Sequence, residues 1–226
     1  LTQVADHPVR VVCAGRTDTG VHAWCQVVHF DTHAERDERS WLLGVNSNLP
    51  ETVAALWLRP VSDDFHARFS AIARSYRYVI FNHWLRPAID RRRVCWQRHA
   101  LDVEAMREAA GYLLGEHDFS SFRSAGCKAN HPVRDLQSIE LERLGRKITL
   151  SVTANGFLYH MVRNIAGTLM AVGQGDKPPA WVKDLLQARD RRLAGVTASP
   201  AGLYFAGVRY PPAFDIPHLP ESLTEK

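Results

Sequence analysis

The chain has 226 residues, 46% of them hydrophobic and 23% charged, enough apolar surface for a sizeable core and too much for disorder. No apolar run approaches the roughly 20 residues that span a bilayer, and residues 1–10 lack a signal-peptide core, so a soluble, cytoplasmic protein with no membrane partner is expected. Its net charge of +4 favours a polyanionic partner, while Cys13, Cys25, Cys95 and Cys127, irregularly spaced, exclude a Cys-x-x-Cys zinc or redox pair and read as reduced thiols.

Leu1 reads as the inside of a helix end that runs into a strand, so a preceding segment is expected. After the polar break Asp6-His7-Pro8, residues Val9 to Ala14 read as a buried strand that Gly15 ends. Gln26 to Phe30 reads as another strand, and Trp41 to Leu49 as a helix stopped by Pro50. Leu56 to Arg59, Ala67 to Ser70 and Tyr76 to Phe81 are strand-like. Asp102 is suited to cap a helix carrying Val103, Met106, Ala110 and Leu113, closed by Gly115. Leu136 to Leu144 and Lys147 to Thr153 form a predicted hairpin turning at Gly145, with Ile148, Leu150 and Val152 facing the core. A long apolar helix is predicted from Phe157 to Val172, with Gly173 and Gly175 as stops, then a short helix opened by Pro179 and a last strand from Leu203 to Tyr210. The Pro-rich tail from Pro211 is expected to be poorly ordered. Strands mixed with helices and hairpins place the chain in the α+β class, with a mixed, mostly antiparallel sheet flanked by helices.

Three features carry chemistry. Asp18 lies in the Gly-flanked loop 15–20 beside a predicted core strand, where a carboxylate can be held rigidly at a cleft. A turn aspartate that bonds its own backbone is the alternative. Arg163 interrupts the most apolar helix, and a guanidinium there needs a partner or water. Asp18 is one of the few carboxylates on a core-adjacent loop, and a solvent stripe with His160 and Gly167 is the other reading. Tyr76 and Tyr78 share one strand face, with Arg74 beside them and Arg77 on the other. Such interleaving suits unstacked RNA bases and phosphates. Arginines also cluster at Arg91-Arg92-Arg93 and at Arg189, Arg191 and Arg192, and guanidinium groups bind phosphate bidentately.

Two sharper motifs fall away. Asp18-Thr19-Gly20 matches the aspartic-protease triplet, but Arg16 and Thr17 are not the apolar lead-in that an all-β dyad requires. His29, Asp31 and His33 alternate as metal donors would, with His22 upstream, yet they sit in a polar stretch that reads as a solvated strand end.

The run Ala14-Gly15-Arg16-Thr17-Asp18-Thr19-Gly20-Val21-His22-Ala23 resembles the signature of the TruA-type tRNA pseudouridine synthases. Agreement continues, in order, at Asp64-Phe65-His66-Ala67-Arg68, Tyr76-Arg77-Tyr78, His160-Met161-Val162-Arg163-Asn164 and Gly202-Leu203-Tyr204. The resemblance implies the pseudouridine synthase fold, two related α/β subdomains sharing one sheet, assigned to residues 1–68 and 69–210 with a flexible tail at 211–226. It also implies a homodimeric enzyme, free of metal and cofactor, that isomerises uridines at positions 38 to 40 of the tRNA anticodon stem-loop. It casts Asp18 as the catalytic carboxylate, Arg163 as its ion-pair partner, Tyr76 as the aromatic against the target base and Leu203 as an apolar wall. Arg16 corresponds to the arginine that enters the RNA and helps flip the nucleotide, and Arg68 and Arg77 are further expected substrate contacts. Thr19 stands where the family usually has alanine. The family's opening strand and helix, with their Tyr-Asp-Gly and Gly-Trp-Gln stretches, are not matched from Leu1 onward, in keeping with the expected preceding segment. The alternative from another class is a non-catalytic RNA-binding factor on the same scaffold, which has no need to keep Asp18, Tyr76 and Arg163 together.

Overall fold

In the computed structural model, which describes residues 1–217, the elements in chain order are α1 (Thr2–Ala5), β1 (Val12–Cys13), β2 (His22–Ala23), β3 (Val28–His29), α2 (Glu38–Asn48), β4 (Ala73–Asn82), β5 (Cys95–Gln97), α3 (Val103–Gly111), β6 (Gly115–Asp118), β7 (Val133–Leu144), β8 (Lys147–Ala154), α4 (Met161–Gly173), α5 (Trp181–Ala188) and β9 (Leu203–Arg209). Short 3-10 turns lie at Ser120–Phe122, Arg191–Leu193, Pro200–Gly202 and Pro212–Phe214. The described residues group into two compact units. One holds Leu1–Gly15, Val27–Ala71 and Tyr210–Pro217; the larger holds Arg16–Gln26 and Ile72–Arg209. The loop bearing Asp18 thus groups with the larger unit, whereas a division at residue 68 places it with the N-terminal residues.

Alternation builds the large sheet. Ile148, Leu150, Val152 and Ala154 on β8 are all 1% exposed or less, while the residues between them are only partly covered. Every second side chain of an extended strand points to one face, so this sequence dictates which face is buried. Among the described residues the strand order is β2-β9-β4-β8-β7-β6, with β5 pairing to β4. The β2/β9 and β4/β5 pairs are parallel and the rest antiparallel. Gly145 (φ 58°) closes the β7/β8 hairpin in the left-handed region, where glycine bears no Cβ penalty. Met106 and Leu113 from the α3 segment and Ile165, Ala166 and Leu169 of α4 join the same core cluster. Asp102 caps α3 by accepting from the backbone N–H groups of Glu104 and Ala105, as its position forecasts.

Several sequence expectations change. β6 is an additional strand: Gly115-Glu116-His117-Asp118 is polar and carries no strand signal, and only its pairing with β7 extends it. The α4 helix starts at Met161 instead of Phe157, because His160 is in the left-handed conformation (φ 60°). Gly167 is buried, so α4 carries no solvent stripe through it.

In the smaller unit, β1 and β3 pair antiparallel over only two residues each, and Val11 stays exposed, so the strand expected from Val9 to Ala14 is shorter and less buried than its composition implies. Trp41 and Val45 of α2 pack with Val4 and Ala5. Leu56 to Arg59 forms no strand: the Asn46 amide takes both backbone groups of Ala55 (2.8 and 2.9 Å). Residues 67–70 form a turn, because His66 Nδ1 accepts the N–H groups of Arg68 and Phe69, both at 3.1 Å, that a strand ladder would need. Of the tail expected to be loose, Pro212–Phe214 is a 3-10 turn whose Phe214 ring meets Phe65 at 5.3 Å, and Asp215 pairs with Arg59 at 2.8 Å; residues 218–226 lie outside the described residues. None of the described helices is long and apolar enough to cross a membrane.

Candidate active site

The loop that carries Asp18 is fixed at its far end. The backbone N–H of Val21 donates to the Asp18 carbonyl (3.0 Å), and β2 then pairs parallel with Tyr204 and Phe205 of β9. Gly20 adopts φ 83°, and a Cβ there would sit 3.2 Å from the Pro200 ring, so both backbone angle and space call for glycine. The Asp18 side chain remains 42% exposed, open to an incoming substrate.

The start of α4 faces this carboxylate. His160 Nε2 lies 3.1 Å from Asp18 Oδ2. Its Nδ1 lies 3.2 Å from Ser124 Oγ, and the Tyr159 ring stacks on the imidazole at 3.8 Å. Burial, chiefly, and the neighbouring charge of Arg163 push the His160 pKa down against the opposing pull of Asp18; Arg191 lowers it further. In the sequence His160 is only a polar neighbour of Arg163. Its one signal was its place in the matched segment His160-Met161-Val162-Arg163-Asn164.

The expected ion pair between Asp18 and Arg163 is not formed. Arg163 Nε donates to the Ala198 carbonyl (2.7 Å), and the Ala198 N–H donates back to the Arg163 carbonyl (3.2 Å). Residues 194–198 are pressed onto α4 where it is thinnest: a Cβ on Gly167 would fall 1.8 Å from the Val196 carbonyl oxygen. That contact brings a carbonyl within reach of a guanidinium that is itself only partly buried, and a hydrogen bond with some water contact satisfies it. Arg163 still contributes charge, acting on both His160 and Tyr78.

Tyr76 and Tyr78 share a face and differ in use. Tyr78 is fully buried and donates to the Ser199 carbonyl (2.7 Å). Tyr76 is half-buried, with its ring edge-on to Phe157 (4.9 Å) and tilted against Phe205 (5.0 Å). Its phenol is pushed up to about 12, mainly by burial, with Arg74 opposing and the Asp18 charge adding to the rise. The ring near Asp18 is therefore a neutral phenol at any physiological pH. Leu203, 7% exposed, lies across from Tyr78 in register and belongs to the main core.

The other expected contacts disperse. Arg16 is exposed beside the Asp18 loop. Arg77 alternates to the opposite sheet face from Tyr76; there its guanidinium sits 5.6 Å from the Trp24 ring, which stacks on Tyr204 and through it on His22. Arg68 is exposed in the smaller unit, its guanidinium 5.7 Å from the Phe69 ring. The arginines near 190 are engaged internally: Arg189 with Asp118, Arg191 with Asn164 and Thr197, and Arg192 with Asp190, whose carboxyl is held at about 2 by hydrogen bonds from Arg192. Arg91, Arg92 and Arg93 stay exposed. The histidines whose alternation suits metal donors do not converge among the described residues. His29 accepts from the Ala67 N–H (3.0 Å), while His33 stacks on His7 (4.0 Å).

Comparison with known proteins gives the same direction throughout. Residues 109–211, which include α4 and β9, match the family model described as tRNA pseudouridine synthase. The chain is 56% identical over 220 residues to tRNA pseudouridine synthase A of Alcanivorax borkumensis, covering 97% of this chain and 82% of that protein. It is 54% identical over 220 residues to the protein of that name from Coxiella burnetii (97% and 84% covered) and 55% identical over 224 residues to that of Nitrosococcus oceani (99% and 86%). Sharing more than half its residues with such proteins over nearly its whole length, the chain belongs to the tRNA pseudouridine synthase A family.

Proposed function

We propose that this enzyme isomerises uridine to pseudouridine at positions 38 to 40 of the tRNA anticodon stem-loop, with Asp18 as the catalytic carboxylate. The observation that carries the reading is the Asp18 carboxylate itself, accessible to solvent yet held by His160 and close enough to Tyr76 for its charge to act on that phenol.

The reaction breaks the bond between uracil N1 and the sugar, turns the base, and joins C5 to the same sugar carbon. The C5 proton is lost and N1 gains one, so no atoms are lost overall and neither a redox step nor a hydrolytic water is called for. One carboxylate serves, either as a nucleophile towards sugar or base or as the base that removes a sugar proton. Tyr76 offers its ring to the uracil. Leu203 closes an apolar side, and Arg163 supplies positive charge near the reacting carboxylate.

A uridine within a stem must be flipped out first, at a cost of a few kcal/mol. We assign that work to Arg16 entering the RNA and to exposed arginines, Arg68 among them, on phosphates. Arg77, on the opposite sheet face, supports Trp24 instead of touching the flipped base. By the same family likeness we assign the enzyme a cytoplasmic homodimer, which sedimentation equilibrium would test. The reaction itself is tested by tritium release from tRNA labelled at uridine C5. Release by the parent enzyme and none by Asp18→Asn supports the reading, and equal release by both removes Asp18 from its role.

A further inference from the structure

Hydrogen bonds connect Asp18, through His160 and Ser124, to the buried Asn164. Asn164 is fully buried, and its Oδ1 accepts from Arg191 Nη2 (3.0 Å) and Thr197 Oγ1 (2.7 Å). Both of those partners are donors there, so the amide cannot be turned over, and its Nδ2 must be the group that meets Phe122 O (2.7 Å) and Ser124 Oγ (3.2 Å). Ser124 Oγ, which accepts from Asn164, also lies 3.2 Å from His160 Nδ1, where its own hydrogen is free to donate. Nε2 lies 3.1 Å from Asp18 Oδ2, and a carboxylate only accepts, so the proton of a neutral imidazole belongs at Nε2 and leaves Nδ1 to accept from Ser124.

We infer that His160 is a positioning residue for Asp18, held by Ser124 and the buried Asn164 as the neutral Nε2–H tautomer so that it donates one hydrogen bond to the carboxylate and fixes its rotamer. The inference rests on the reading of Asp18 as the catalytic group and adds to it a neighbour, two residues behind that neighbour, and a proton. The left-handed backbone at residue 160 (φ 60°) and the Tyr159 stack aim the ring. The charged groups that face it are Asp18 from its loop, Arg163 one turn along α4, and Arg191 from the 3-10 turn. Two of these three are cations, and with burial they favour the uncharged ring.

The neutral state matters for the chemistry. A neutral donor orients a carboxylate while leaving it basic and nucleophilic, whereas an imidazolium would pair with it and blunt both. Phosphate or sugar groups of the substrate need not touch His160 for this to operate.

The test has two independent arms. In the first, protein carrying 15N-histidine is examined by long-range 1H–15N correlation, with His160 assigned by the signal that disappears in His160→Gln. A protonated Nε2 with an unprotonated Nδ1 at neutral pH, giving way to mixed tautomers in Ser124→Ala, is expected. The opposite tautomer overturns the inference, and so does no change in Ser124→Ala. In the second arm, His160→Ala should lower kcat for tritium release between about 10-fold and 100-fold with KM for tRNA little changed, as expected for a misplaced reacting group. His160→Gln, whose amide can still donate, should recover most of that loss, and its acid limb should lack the inflection that the parent shows below the ordinary histidine range. A His160→Ala enzyme with parental kcat, or a Gln variant no better than Ala, overturns the inference. Parent enzyme that shows the Nε2–H tautomer yet releases no tritium sinks the proposed reaction and leaves the tautomer assignment standing.

Discussion

His160 Nε2 stands 3.1 Å from Asp18 Oδ2, while Arg163, one turn further along α4, bonds the Ala198 carbonyl. The carboxylate is thus held by an imidazole and bathed in the field of a guanidinium that is anchored elsewhere. An arginine in an apolar helix needs satisfaction, and here a carbonyl delivered by a packed loop takes one donor of a side chain that is only partly buried.

Asp18→Asn removes the one group proposed to react. Pseudouridine formation should fall by at least about a thousandfold, within the range that a positioned acid–base or nucleophilic group supplies. Thermal midpoint and tRNA affinity should be nearly unchanged, because Asp18 is half open to solvent and its loop is held by backbone bonds. Tritium release, a melting curve and a filter-binding isotherm on the same preparation check all three.

Arg163→Met retains the apolar stem and loses the bond to Ala198. A stability loss of about 1–2 kcal/mol is expected for that hydrogen bond, together with slower turnover from the lost charge near Asp18. Urea denaturation and initial rates provide the measurement, and an enzyme unchanged in both would show that Arg163 serves neither purpose.

Gly167→Ala tests the contact that brings Ala198 to Arg163. The added Cβ would meet the Val196 carbonyl oxygen at 1.8 Å, so either residues 194–198 or α4 must shift. A destabilisation of about 2 kcal/mol or more is expected from such overpacking. Activity should fall with it, since Ser199 and Ala198 hold Tyr78 and Arg163.

Tyr76 links stability to alkaline pH. Its phenol is raised from 10.0 to about 12 in the folded chain, so the fold holds a proton that the unfolded chain gives up earlier. The contribution is fully present below pH 10 and is lost as pH rises towards about 12. Tyr78, also raised by burial, acts in the same direction. Tyr76→Phe should flatten part of that alkaline decline in a pH series of melts and keep the ring, whereas Tyr76→Ala should cut turnover sharply.

Affinity for tRNA should fall steeply with salt, because phosphate contacts release counterions. A plot of log K against log salt concentration is expected to be linear with a slope of several units. Arg16→Ala should reduce kcat more than it reduces that slope, since its proposed task is to help flip the base. A flat salt dependence would remove exposed arginines from the binding account.

Local chemistry was legible in the sequence. The β7/β8 hairpin could be read because alternation and Gly145 are neighbour effects, and the Asp102 cap because capping involves the next three residues. The Asp18 loop was legible as a motif, and Tyr76 and Tyr78 as one strand face. The strands expected at 56–59 and 67–70 failed where side chains of Asn46 and His66 took the backbone groups a ladder would use. Strand β6 was invisible because its residues carry no strand preference and only β7 extends them.

What the amino-acid sequence determined by itself was the α+β character, the Asp18 loop and the family. What only the tertiary structure decided was which partner the carboxylate takes. Asp18, Ser124, the turn holding His160 and Asn164, and Ala198 come from stretches distant along the chain, and no periodicity relates those stretches. Whether an aspartate meets an arginine or a histidine depends on angstrom-scale placement: a glycine at 167 that lets a loop close on α4, and a left-handed residue at 160 that turns an imidazole towards Asp18.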